Sequence, residues 1–204
     1  MIPVGILAAA HAKSPTPTAG AVLWSSSDKD GDITLSSDRR TATLPSGVGN
    51  PQQRGVRGEV QRNTGKVYFE AELLDPLSNT TFAIGVADLN APLQMASIGT
   101  AGANYLVLRI KNGQVFSGNT YVGSFPKTEA GDRVGVALDI ENRWLWFTIN
   151  GASAQGDPVL GALPLKNLAP GEFRPVVYIE GRGSSVELVD PIYTPDGFSN
   201  WGEP

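Results

Sequence analysis

Residues 131–151 read GDRVGVALDIENRWLWFTING, and this stretch carries the strongest local signal in the chain. Val134, Val136, Leu138 and Ile140 alternate with Gly135, Ala137 and Asp139. That is the period of two a half-buried strand requires. Asp139-Ile140-Glu141-Asn142 supplies turn chemistry, because short Asx side chains bond nearby backbone. The chain returns through Arg143–Ile149 and stops at Asn150-Gly151, a dipeptide suited to positive φ. Gly131-Asp132 opens the unit with a further turn signal. The reading is a hairpin of two well-formed strands.

The same alternation recurs on both sides of it. In Lys66–Leu74, Val67, Phe69, Ala71 and Leu73 share one face, while Tyr68, Glu70 and Glu72 share the other. Phe82–Ala87 is nearly all apolar, as a strand buried on both faces would be. Tyr105–Ile110 and Gln114–Phe116 flank Lys111-Asn112-Gly113, a hairpin signal. Ile33–Leu35 and Thr41–Leu44 form another around residues 36–40. Gly55–Val60, Tyr121–Phe125, Phe173–Ile179 and Ser185–Val189 complete the strand-like runs. Ser25–Asp32, Pro45–Arg54, Asp88–Gly102 and Ala152–Pro170 read as loops. About a dozen strands with short connections describe a β-sandwich. No fixed-period repeat points to a solenoid or propeller.

Composition bounds the rest. The 204 residues hold 24 glycines and 15 prolines, which favours one large all-β domain of short strands and tight turns. A net charge of −4 argues against a nucleic-acid partner, which needs a concentrated basic surface. With no cysteine, disulfides, thiolate metal sites and a cysteine nucleophile are excluded. No apolar run approaches the roughly 20 residues of a membrane span.

Several ordered blocks resemble the SPRY domain, a β-sandwich related to the concanavalin A-like lectins. Gly131 to Gly151 resembles that family's most characteristic block. Gly65-Lys66-Val67-Tyr68-Phe69-Glu70, Ile84-Gly85-Val86-Ala87, Phe173–Val177 and Ser185–Leu188 resemble others. Trp24, Asp28-Lys29, Ile33–Ser36 and the tail Tyr193–Phe198 are similar to the stand-alone SPRY-like domains of tailed bacteriophages and bacteria. The resemblance covers Ala21 to about Trp201. It implies an all-β, concanavalin A-like antiparallel sandwich over residues 21–204 that acts as a binding module without chemistry of its own.

The residues themselves give little support to catalysis or metal binding. Glu70 and Glu72 stand two apart on one strand face, as carboxylates do in some related glucanases, but position 74 is Leu where a third would stand. Asp28-Lys-Asp-Gly-Asp32 resembles half a calcium loop, yet its glycine falls at the fourth position and Arg39 occupies the twelfth. His11 is the only histidine, so a serine triad lacks its base. Gly181-Arg-Gly183 has no following helix to make a phosphate loop. No cofactor is expected. Arg54, Arg57, Tyr105 and Tyr121 are further loop-surface candidates, none decisive alone.

Two features invite a partner. The resemblance implies that Leu145, Phe147 and Ile149 face the core; alternation then sends Trp144, Trp146 and Thr148 outward, and two outward tryptophans call for cover. That cover is a subunit, a sugar, or the chain's own loops or arm. Residues 1–20 read as an apolar arm, with Ile2, Val4, Ile6 and Leu7 as its anchors, followed by the Pro/Thr-rich connector Lys13–Gly20. Ala10-His11-Ala12 imitates a signal cleavage site, but no positive charge precedes the apolar run, which Pro3 and Gly5 interrupt. The expected protein is a non-enzymatic structural component of a phage particle, in tail, fibre or capsid decoration. Its arm docks onto other virion proteins or copies of itself, and its sandwich meets a host surface glycan or protein. The alternative is a bacterial cytoplasmic or exported lectin-like module binding a glycan or protein.

Overall fold

The computed structural model describes residues 20–48, 52–74, 82–99, 103–153 and 155–204. The arm residues Ile2, Val4, Ile6 and Leu7 lie outside these. Sixteen strands occur among the described residues: β1 (Trp24–Lys29), β2 (Thr34–Leu35), β3 (Thr41–Leu44), β4 (Gln53–Gly58), β5 (Lys66–Leu73), β6 (Phe82–Ala87), β7 (Gln94–Met95), β8 (Tyr105–Arg109), β9 (Gln114–Ser117), β10 (Thr120–Ser124), β11 (Arg133–Asp139), β12 (Trp144–Ile149), β13 (Ala152–Ser153), β14 (Arg174–Ile179), β15 (Ser184–Val189) and β16 (Ser199–Asn200).

They form two eight-stranded sheets. The first runs β1-β4-β14-β6-β8-β9-β10 with β7 beside β4, and the second runs β13-β12-β11-β5-β15-β3-β2 with β16 beside β5. Pairing is antiparallel except for β16, which lies parallel to β5 with Ser199 opposite Val67. The hairpin at 131–151 holds its register from Val134 opposite Ile149 to Asp139 opposite Trp144. Its turn closes because the Asp139 carboxylate accepts the Asn142 backbone N–H at 2.9 Å. At its far end Asn150 and Gly151 take φ of 50° and 79° and join β12 to β13. Positive φ at both central residues is the arrangement that matches strand twist in a two-residue hairpin.

The alternation sorts side chains as the strand period demands. Val67, Phe69, Ala71 and Leu73 of β5 enter the main core with Val134, Val136 and Leu138 of β11. Phe82, Ile84 and Val86 of β6 join the same core from the other sheet. Strand β6 is indeed buried on both faces, since Ala83 and Ala87 belong to a second apolar cluster outside the sandwich.

The four stretches expected as loops do more, and the end of one of them, Gln53 and Arg54, opens β4. Residues 25–29 continue β1, an edge strand whose hydroxyls and carboxylate are tied down locally: Ser25 Oγ accepts the Asp28 N–H at 3.1 Å. The 88–99 segment contributes β7 and lays Ala91, Met95 and Ile98 over Tyr105 and Tyr178, roofing the outer face of the first sheet. Burial there pushes the Tyr178 phenol above its ordinary value of 10.0. The 152–170 segment contributes β13 and a pairing of Leu165 with Leu145 at the margin of the second sheet.

Candidate interaction surface

The outer face of the second sheet is organised by a buried carboxylate. Glu70 projects outward from β5 but its side chain is inaccessible, because residues 190–193 cross above it. Glu70 Oε1 accepts the backbone N–H of Tyr193 at 2.8 Å and of Ile192 at 3.3 Å, and the Tyr68 hydroxyl at 3.0 Å. Arg133 Nη1 stands 3.5 Å from Oε2 and its Nε 3.4 Å from Glu72. Burial pushes the Tyr68 phenol above 10.0, opposed by its hydrogen bond with Thr148, so it stays protonated and donates. Oε1 thus holds the C-terminal segment down, while Oε2 faces Arg133 of β11. The carboxylate pair that suggested glycoside chemistry in the sequence is a structural clasp here.

The tryptophan pair splits. Trp146 is 2% exposed and sits in a small outer cluster with Tyr68, Ala137 and Phe198. Of the covers open to it, its ring takes the chain's own tail, with Phe198 at a centroid distance of 6.3 Å. Its indole N–H donates to the Ala162 carbonyl at 2.9 Å, so Trp146 carries the 157–162 turn. Trp144 remains partly exposed at the rim. Its ring packs edge-on to Trp146, lies beneath Gly161, and takes the Lys166 ammonium over its face at 4.9 Å.

That turn is rigidly held. Asp157 and Ala162 exchange backbone hydrogen bonds of 3.0 and 2.9 Å, and Asp157 Oδ1 accepts the N–H groups of Val159 and Leu160. Leu165 anchors its exit by exchanging two hydrogen bonds with Leu145. Polar and backbone groups are therefore consumed inward while aliphatic side chains stay exposed: Leu160 is 79% exposed, Leu163 70%, Val159 50% and, on the C-terminal segment, Ile192 62%. Between the turn and the C-terminal segment runs a groove of about 290 Å³, walled by Pro158, Val159, Tyr193 and Pro195 together with the polar Thr148, Ser153 and Asp157. Gly151 must lack a side chain, since a Cβ there would collide with the Tyr193 ring.

Leu163 is the telling residue. It holds φ at 47°, a conformation that a branched side chain rarely adopts. An exposed leucine gains almost nothing from burial, so neither packing nor backbone preference explains it in the isolated chain. Leu163→Gly is expected to raise stability by about 1 kcal/mol, or about 2–4 °C in Tm by calorimetry, by relieving that backbone. A fall in Tm would place a fold-holding contact on Leu163.

Other sequence candidates resolve into structure. Asp28, Asp30 and Asp32 face arginines: Arg57 Nη1 meets Asp28 at 2.7 Å, Arg174 meets it at 3.4 Å, and Arg54 Nε meets Asp32 at 2.8 Å and Asp30 at 3.4 Å. Their carboxylates are spent on ion pairs. Among the described residues no group of three or more His, Asp or Glu is placed to hold a metal ion. Arg57 also donates to the Ala91 and Leu89 carbonyls, pinning the 88–99 roof. Arg54, Arg57 and Tyr105 are buried, and Tyr121 alone of that set is on the surface, edge-on to Phe116. Val159, Leu160, Leu163 and Ile192 were not singled out from sequence, and Tyr193 only as the start of the tail block. Their available signal was bulky aliphatics inside a Gly/Pro-rich stretch, where burial in a strand cannot account for them.

A family model described as the SPRY domain matches residues 66–191, more than half of the chain. The fold is similar to the SPRY domain of human HERC1, with a TM-score of 0.66 at 16% identity, covering 83% of this chain and 98% of that one. It is also similar to the PSpry domain of TRIM65, with a TM-score of 0.63 at 14% identity, covering 84% and 93%. A further human SPRY domain aligns with a TM-score of 0.55 at 18% identity, covering 77% and 94%. No curated protein matches the sequence.

Proposed function

Because this chain belongs to the SPRY domain family, whose members are generally protein-interaction modules, we propose that it is a non-enzymatic binding module. Its docking surface is the apolar rim formed by Val159, Leu160, Leu163, Ile192 and Tyr193, backed by Trp144. The observation that carries this reading is the strained, exposed Leu163 on a turn that Trp146 and Leu165 hold rigid. A pre-ordered apolar surface loses little entropy on association, which is how such a rim gains affinity. The partner is a protein presenting an apolar segment, since Val159, Leu160, Leu163 and Ile192 hold aliphatic carbon out to solvent beside the groove.

We place the module, more finely, in a tailed-phage particle, with residues 1–20 as its attachment. What supports that placement is the pair of phage-like blocks outside the family match. Trp24 and Ile33 are fully buried in the main core, and the Tyr193–Phe198 tail walls the groove and covers Trp146.

Charge substitution tests the rim. With the full chain immobilised and a captured protein identified, Leu160→Asp is expected to weaken its binding at least tenfold, while Leu89→Asp on the roof of the other sheet leaves it unchanged. Both leucines are exposed, so neither change threatens the fold. Equal affinity for the two variants would remove the rim as the docking surface.

A further inference from the structure

The rim ends on positive charge that the chain does not answer. Leu145 and Leu165 exchange backbone hydrogen bonds of 3.0 and 2.9 Å as an antiparallel pair, and both enter the main core. That register sets Lys166 opposite Trp144 and turns both to the outer face. The Lys166 ammonium accordingly lies 4.9 Å from the centre of the Trp144 ring. Arg143, next to Trp144, is exposed and holds φ at 58°, the same left-handed region as exposed Leu163 at 47°.

Among the described residues neither Arg143 nor Lys166 forms an ion pair, whereas Arg39, Arg40, Arg54, Arg57, Arg133 and Arg174 all do. The carboxylates at this end of β11 and β12 have other duties. Asp139 accepts the Asn142 N–H and faces Lys66 at 3.7 Å, and Glu141 accepts the Gly65 N–H at 2.8 Å. Attraction to the indole face positions the Lys166 ammonium without neutralising it. An arriving carboxylate would gain charge-assisted hydrogen bonds from groups already placed. This local positive end runs against the chain's net charge of −4, so it selects by sign where the rest of the surface does not.

We propose that the segment docking on the rim is acidic as well as apolar. Its aliphatic side chains meet Val159, Leu160 and Leu163, and an Asp or Glu carboxylate meets Lys166 and Arg143 beside Trp144. This rests on the rim being the docking surface, and adds the sign of the partner's charge and the end of the rim that reads it.

The test is a random peptide library selected on the immobilised full chain. Enriched peptides are expected to place Asp or Glu within a few residues of paired aliphatics. A synthetic copy of the strongest should lose at least tenfold in affinity when its acid is replaced by Lys. Lys166→Glu with Arg143→Glu should weaken the acidic peptide at least tenfold and restore the Lys-bearing copy, which a misfolded variant could not do. Lys111→Glu with Lys127→Glu, exposed cations beside β9 and β10, should change neither. Absence of enrichment, enriched peptides without an acid, or a preference for acid indifferent to the charge reversal would overturn the proposal. Leu160→Asp separates it from the reading beneath it. A peptide weakened by Leu160→Asp but indifferent to the reversal sinks the acidic partner and leaves the rim standing. A peptide that follows the reversal but ignores Leu160→Asp removes the rim, and this proposal with it.

Discussion

Trp201→Ala is expected to lower the unfolding free energy by about 3–5 kcal/mol, among the largest effects of any single substitution in the chain. Trp201 is completely buried, packs edge-on to Phe69 at 5.7 Å, and donates its indole N–H to the Val60 carbonyl at 2.9 Å. Truncation opens a cavity in the main core and strands that carbonyl. Its own backbone is fixed independently: the Trp201 N–H donates to the Tyr68 carbonyl, and its carbonyl accepts both Nε and Nη2 of Arg62. The segment therefore stays in place and the cavity cannot collapse easily. Urea unfolding followed by fluorescence checks this, and Trp201→Phe should recover part of the loss. A cost below 1 kcal/mol would mean that the tail lies outside the cooperative unit.

Glu70→Ala is the second large effect, also about 3–5 kcal/mol, because it leaves buried partners of a charged group uncompensated. The Tyr193 and Ile192 N–H groups lose their acceptor, and Arg133 is left with Glu72 and the Asp190 carbonyl. Glu70→Gln keeps the shape and removes the charge, and is expected to cost about 1.5–3 kcal/mol. The loss should be local in character as well as global. Amide exchange should accelerate first in residues 190–196, then in β16, while β6 and β14 remain protected. Uniform acceleration across both sheets would contradict the clasp. If hydrolysis of a glycan were found and abolished by Glu70→Gln at unchanged stability, the structural account of this carboxylate would be wrong.

Much of the sandwich was legible because its central strands obey period two. Val67, Phe69, Ala71 and Leu73 turn inward on β5, and Asn150-Gly151 announced a turn that positive φ bears out. What was hidden has a common physical cause: contacts made across long sequence distance by residues without periodicity. Ser25–Lys29 looks like loop because an edge strand needs no apolar alternation when Arg57 and Arg174 neutralise its Asp28. Residues 88–99 look like loop because their apolar residues are spaced to roof a sheet rather than to pair in one. Trp146 pointed outward as alternation requires, but sequence offered no means of seeing that Phe198 and Ala162 would cover it. The rim was hidden for the opposite reason. Leu160 and Leu163 make no contact that periodicity could reveal, and their exposure has meaning only once the turn around them is known to be rigid.

The measurement that bears most directly on the central claim is an amide-exchange footprint of the full chain with and without a bound partner protein. Slowed exchange confined to residues 157–163 and 192–196, with 88–99 and β10 unchanged, is the result expected for docking at the apolar rim. Slowed exchange at 88–99 or along β10, with 157–163 unaffected, would contradict it.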